Sequence, residues 1–429
     1  MRVAKPANDS TIARIIHLVE EAQSKKAPSQ AFVERFARYY SPAVFGLALA
    51  IAIVPPLVLT ASLDEWFYRA LVLLVIACPC ALVISTPVTL VSALTNAARH
   101  GVLIKGGRHL EVLAGVRSFA FDKTGTLTEA QLTVTDIIPL NTLSPLEILR
   151  VTAAAELKSE HHLADALLRK AEEEGVSLSD ARTEDFSSIT GKGIRTKVDG
   201  VTYIVGNHQL MEDLGVCSEV VERVLDSLEG QGKTVIILAD EQQVLGVIAV
   251  TDRIRTQSGS TVQALHRLGI ERVVLLTGDN QRTGAAVAEK LQVDELRAEL
   301  LPEQKLEVIR ELKARYGSVA MVGDGINDAP ALAAADIGIA MGGIGSDTAL
   351  ETADIALMAD NIGKVSFGVL LGKKTLRIIK QNITLALLTK GVFIVLGMVG
   401  LSSLWLAILA DDGAALLVIL NGLRVLREA

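Results

Sequence analysis

Two stretches without a single charged side chain, 43–62 and 70–98, constrain this chain more than any other feature of its sequence. Each meets or exceeds the roughly 20 apolar residues that a helix needs to cross a bilayer. The connector 63–69 is too short to fold as a domain, so the pair is expected to be a membrane hairpin. A second hairpin is expected over 383–402 and 404–420. Arg99, Lys105 and Arg108 follow the first hairpin; Lys373, Lys374, Arg377 and Lys380 precede the second, and Arg424 and Arg427 follow it. Basic residues collect on the cytoplasmic side of membrane helices, which places the ends of both hairpins there and predicts a multi-pass protein of the cell membrane.

The chain has 429 residues, too many for one ordinary core, and half of them are hydrophobic while only 4% are aromatic. Several domains and a lipid partner are expected. A net charge of −7 lacks a basic signature, which argues against nucleic acid. The three cysteines are Cys78, Cys80 and Cys217. Two of them lie inside an apolar run, so free thiols in a reducing compartment are expected rather than a disulfide framework. Cys217 receives no role. The first forty residues are polar and amphipathic, and are expected not to be a secretory signal. Asp9 and Ser10 could cap a helix carrying Ile12, Ile15, Ile16 and Val19 on one stripe.

Between the hairpins, short β-rich runs at 118–121, 272–276, 318–322 and 337–341 alternate with helix-patterned segments. That pattern reads as a parallel α/β sheet. Ligands of such sheets gather beyond the carboxyl ends of the strands, where the sequence puts Asp122, Thr277 and Asp324. Residues 132–238 interrupt the pattern as an inserted domain.

The run Asp122-Lys123-Thr124-Gly125-Thr126 follows directly on the first of these strands. Here the sequence resembles the P-type ATPases within the haloacid dehalogenase-like superfamily. The resemblance implies that Asp122 takes the γ-phosphoryl group of ATP as an aspartyl-phosphate, which splits one hard transfer into two easier steps. Related phosphatases carry an acid/base aspartate at the position of Thr124, so hydrolysis by this chain is expected to be slow. Two further strings complete the set, Thr277-Gly278-Asp279 and Gly323-Asp324-Gly325-Ile326-Asn327-Asp328. The resemblance assigns Mg²⁺ to Asp122, Asp324 and the Thr124 carbonyl, all hard oxygen donors. Thr277 and Lys305 would contact the phosphoryl oxygens, with Asn327 and Asp328 in support.

Gly232-Lys233-Thr234 is not a P-loop, because the pattern requires a glycine where Ser227 stands. Glu156, His161, Gly191, Gly193 and Asn207 instead resemble the nucleotide-binding residues of the soft-metal branch. The family's His-Pro appears here as His161-His162.

Cys78-Pro79-Cys80 is the signature by which that branch is identified. Pro79 cannot donate to Val75 and breaks the helix. Residues two apart on an intact helix point about 200° away from each other, so only the break lets both sulfurs meet one ion. Thiolates select soft or borderline cations. In the second hairpin Lys390 and Asp411 are charges inside apolar helices, which marks them as functional. The resemblance to zinc, cadmium and lead exporters makes Asp411 a ligand with Cys78 and Cys80, and Lys390 its counter-charge. Asp412 is the weaker candidate.

The expected architecture is therefore an α/β haloacid dehalogenase-like phosphorylation domain with an inserted α+β nucleotide-binding domain, attached to a polytopic α-helical membrane region of four helices. Its segments are 1–40 (tail of an actuator domain), 41–100 (membrane hairpin), 101–131 and 239–372 (phosphorylation domain), 132–238 (nucleotide-binding domain) and 373–429 (membrane hairpin). The resemblance corresponds to the C-terminal part of a family pump. The family's Thr-Gly-Glu loop does not occur, which leads to the expectation of an actuator domain on a separate chain or of a truncated product. Competing expectations are a membrane-anchored phosphatase of the same superfamily and a non-catalytic metal-binding remnant.

Overall fold

The computed structural model describes residues 27–59, 62–159, 162–179, 181–189, 191–324, 328–342, 353–359, 361–398 and 403–427. The capped helix expected near Asp9 lies outside them. The chain divides into two compact units, one of residues up to Val116 and from Gly342 onward, the other Arg117–Met341.

Among the described residues the first unit has four helical spans long and apolar enough to cross a membrane. Helix α1, Pro28–Leu59, starts well before the uncharged run. The second span is two helices, α2 (Leu63–Ala77) and α3 (Cys80–Arg99), broken between them at Cys78 and Pro79. The expected connector 63–69 is thus already helical, a correction with a local cause. Asp64 and Glu65 occupy the first turn, where the helix dipole favours acids, and Arg69 pairs with Glu65 at 2.6 Å. Helix α4, Gly363–Met398, likewise begins before the expected boundary at 373, and α5 is Leu404–Leu423.

Small residues let these helices approach closely. Ala81, Ala386 and Ala414 share a buried cluster with Val33, Leu82 and Val418, and a methyl group added at Gly422 of α5 would lie 2.7 Å from the Thr89 hydroxyl of α3. Amides supply interhelical bonds: Asn382 donates to the Val418 carbonyl at 3.1 Å and Asn96 to that of Val425 at 2.6 Å. Leu57, Leu409 and Trp405 point outward, each more than two-thirds exposed. So large an apolar exterior suits lipid.

In the second unit five strands are parallel: β1 (Ser118–Asp122), β2 (Arg272–Leu276), β3 (Glu295–Arg297), β4 (Val319–Gly323) and β5 (Ile337–Met341). Their order is β5-β4-β1-β2-β3. β1, β4 and β5 are buried along their whole length, which accounts for apolar runs without alternation.

The inserted domain is a six-stranded antiparallel sheet in the order Thr128–Pro139, Val244–Ile254, Thr234–Ala239, Val201–Gly206, Gly193–Val198, Thr183–Ile189. Its limits lie outside the expected 132–238, because the two outermost strands in sequence pair with each other. Alternation feeds two cores. Ile236, Leu238, Ile248 and Val250 face the helices Pro145–Ala155 and His162–Glu173, while Val235, Ile237, Ala239 and Val247 face His208–Asp213 and Glu219–Glu229.

Candidate functional site

Because β4, β1 and β2 are parallel neighbours, Asp122, Thr277 and Asp324 emerge at the same sheet edge. Asp122 and Thr277 are buried, and Thr124 and Asp324 are half-buried. The turn after Asp122 needs Gly125 at φ +75°, and a Cβ there would lie 3.4 Å from that of Asp324.

The Lys305 ammonium bridges two buried carboxylates, Asp122 Oδ1 at 2.6 Å and Asp328 Oδ1 at 2.7 Å. Burial and then the neighbouring Asp328 charge push Asp122 up to about 7, against the pull of Lys305. Burial also raises Asp328. Burial works against the Lys305 charge, but the two carboxylates outweigh it and hold the ammonium above its ordinary range. Lys123 pairs with Asp279, so it does not share in neutralising Asp122. An oxygen-rich cluster with more negative than positive charge fits a hard cation such as Mg²⁺. Asn327 lies outside the described residues.

Sequence reasoning missed the residues that fix this loop. Arg255 donates to the carbonyls of Gly125 (3.1 Å), Thr126 (3.1 Å) and Thr128 (2.9 Å), and Asp252 accepts from the Thr128 hydroxyl. An arginine following a strand end was the only signal, and carbonyl acceptors leave no trace in sequence. Lys233 pairs with Asp136 at 2.7 Å, a structural role that agrees with rejecting the P-loop.

In the inserted sheet a side chain at Gly193 would collide with the Val205 carbonyl, and Gly191 has φ +72°. Asn207 is expected to bond a base or ribose. Its side chain accepts from the Leu210 amide at 3.0 Å, capping a helix, and donates to the Gly191 carbonyl at 3.1 Å. Asn207 thereby shapes the glycine turn. Glu156 is buried and its carboxyl is raised by that burial. His161 lies outside the described residues.

In the membrane unit the break acts as expected. Val75, deprived of Pro79 as donor, accepts from the Cys78 amide at 3.3 Å. The Cys78 and Cys80 sulfurs meet and are bonded as a disulfide, which corrects the expectation of two free thiols. Their Cα atoms are 5.5 Å apart, inside the span of a disulfide. One donor atom from each of Cys78, Cys80 and Asp411 lies within 4.8 Å of the others. Lys390 Nζ donates to Asp411 at 2.9 Å, to the Ile76 carbonyl at 3.2 Å and to the Cys78 carbonyl. The counter-charge therefore also satisfies carbonyls that the helix break leaves without donors, a task the sequence did not suggest.

Residues 116–336, about half the chain, match the haloacid dehalogenase-like hydrolase family. A probable cadmium-transporting ATPase of Alkalihalophilus pseudofirmus is 51% identical over 430 residues, covering 100% of this chain and 60% of that protein. The zinc/cadmium/lead-transporting P-type ATPase of Escherichia coli is 44% identical, covering 100% of this chain and 57% of its own. This chain thus spans about 60% of the length of the curated relatives it matches. They contain it within one polypeptide, which gives no support to a separate actuator chain. The solved structure of a zinc-transporting PIB-type ATPase in its E2.Pi state superposes with a TM-score of 0.74 at 43% identity, covering 99% of this chain and 69% of that one. On the phosphorylation fold, the broken cysteine helix and these similarities together, the chain belongs to the PIB-type, soft-metal branch of the P-type ATPases.

Proposed function

We propose that the chain performs ATP-driven export of a soft divalent metal ion, Zn²⁺, Cd²⁺ or Pb²⁺, across the cell membrane through an aspartyl-phosphate on Asp122. The observation that carries this reading is the convergence of Cys78, Cys80 and Asp411 donors within 4.8 Å, in a chain whose other unit holds a buried, lysine-bridged aspartate at a sheet edge. Reduction of the Cys78–Cys80 bond frees two sulfurs beside one carboxylate, a donor set suited to borderline and soft cations. Lys390 holds Asp411 when no ion is there and yields it when one arrives.

In the cytoplasmic unit Asp122 attacks the γ-phosphorus and ADP leaves. Thr277 and Lys305 receive the phosphoryl oxygens, and Asp328 keeps Lys305 in place. Asp122, Asp324 and the Thr124 carbonyl would hold Mg²⁺, which when bound offsets the negative charge of the phosphates. The glycine turn at 191–193, shaped by Asn207, gives the nucleotide close access to backbone, and Glu156, His161 and Asn207 would supply its polar contacts. Thr124 offers no carboxyl for hydrolysis, which disfavours a phosphatase and preserves the phosphoenzyme.

The test is acid-stable labelling of the reduced, detergent-solubilised chain by γ-labelled ATP and Mg²⁺, with and without Zn²⁺. Label that disappears in Asp122→Asn, and a Zn²⁺ effect that disappears in Cys78→Ala, are expected. A folded preparation that takes no label, or one whose label ignores both substitutions, refutes the proposal.

A further inference from the structure

His208, Cys217 and Glu222 bring a ring nitrogen, a sulfur and a carboxylate oxygen within 4.8 Å of one another on the inserted domain. None of them belongs to the sites described above. The chain gathers them through local geometry. Asn207 caps the helix that begins at His208, Ser218 caps the helix Glu219–Glu229, and Cys217 precedes that second cap, so both helix starts and the loop converge. His208 Nε2 lies 2.7 Å from Glu222 Oε1 and 3.9 Å from Glu212 Oε1, which sits one turn along the same helix. Glu212 is thus a fourth donor at the margin. The imidazole and thiol are partly buried, while the carboxylates reach solvent.

We propose that His208, Cys217 and Glu222, with Glu212 or water in fourth place, form a second soft divalent cation site, distinct in its residues from the membrane donors. One nitrogen, one sulfur and one or two carboxylate oxygens make a mixed set of the kind Zn²⁺ and Cd²⁺ accept in tetrahedral geometry. Bond lengths of about 2.0–2.3 Å put such ligands about 3.2–3.8 Å apart. The His208–Glu222 pair must therefore open by under about 1 Å, within reach of two side-chain rotations. Burial and then the Glu222 and Glu212 charges hold the Cys217 thiol protonated in the metal-free state. A bound cation reverses that penalty, so uptake releases a proton from sulfur. Because His208 directly follows Asn207, the ion would tie the helix that anchors the glycine turn to the helix Glu219–Glu229.

The test uses the full chain in detergent with Cys78→Ala and Cys80→Ala, which leaves Cys217 as its only thiol. Titration with Cd²⁺ alone is expected to give a thiolate-to-cadmium ultraviolet band saturating at one equivalent and absent in Cys217→Ser. His208→Gln and Glu222→Gln should each weaken binding by about tenfold or more. In the same background, without substitution at the site, Zn²⁺ should slow alkylation of Cys217 by iodoacetamide by about tenfold or more. No band, or a band indifferent to His208→Gln and Glu222→Gln, means a lone thiol collecting metal and overturns the proposal. An alkylation rate unmoved by Zn²⁺ overturns it too.

Discussion

Lys305→Met tests the central electrostatic argument. The Lys305 ammonium stands 2.6 Å from one buried carboxylate and 2.7 Å from another, and methionine keeps most of its stem volume while returning no charge. Removing one partner from a buried pair costs about 3–5 kcal/mol. Here the cost falls at the low end, about 3 kcal/mol, because Asp122 is already raised to about 7 and can take up a proton in place of its lost partner. Since 1.4 kcal/mol is about tenfold in an equilibrium, local opening should become about a hundredfold more frequent. Hydrogen–deuterium exchange of the full chain reads this directly at the amides of β1 and β4, which report opening of the parallel sheet. The inserted sheet should keep the parent's rates. Lys305→Met/Asp328→Asn removes one carboxylate with the lysine and should restore most of the protection, while acid-stable label on Asp122 stays absent in both variants. Exchange of Lys305→Met within about threefold of the parent, or a double variant no better protected than the single, refutes the reasoning.

At Gly323 a Cβ would lie 2.6 Å from Asp328 Oδ2, so Gly323→Ala should displace Asp328 from Lys305 and cut the initial labelling rate by about tenfold or more; an unchanged rate in rapid-quench experiments would count against Asp328 as the anchor of Lys305. Gly193→Ala should collide with the Val205 carbonyl, break the pairing with Gly206 and abolish ATP protection of the inserted domain against proteolysis, without altering exchange in β1. Arg255→Lys loses the fork that holds three loop carbonyls, and about 1–3 kcal/mol of local stability at the Asp122 turn should go with it, seen as faster exchange of peptides covering 123–128. Lys390→Met leaves Asp411 without competition, so Cd²⁺ should bind the reduced chain about tenfold more tightly in chelator competition; weaker binding would show that Lys390 shapes the site instead of competing for it.

The strand-end motifs and the broken cysteine helix were legible because their chemistry is local in the chain. Proline lacks an amide hydrogen wherever it stands, so the break at Cys78-Pro79-Cys80 follows from the residue itself. A buried parallel strand is apolar on both faces, so strand ends, and with them Asp122, Thr277 and Asp324, could be placed from the pattern alone. Even the pairing of Lys390 with Asp411 followed from two opposite charges in apolar helices. What the sequence could not specify were the partners that only packing supplies. Arg255 finds the Gly125 carbonyl 130 residues away, and Lys390 finds that of Ile76 at a separation of 314. Backbone acceptors are the same at every position, so nothing in the residue string singles these out. Helix starts at Leu63 and Gly363 and the true span of the inserted sheet were missed for a related reason: polar segments with adequate propensity join an element once neighbouring packing rewards it. Cys217 had no role as one cysteine in a string. Two helix starts bring His208 and Glu222 to it, and that meeting exists only in the folded chain.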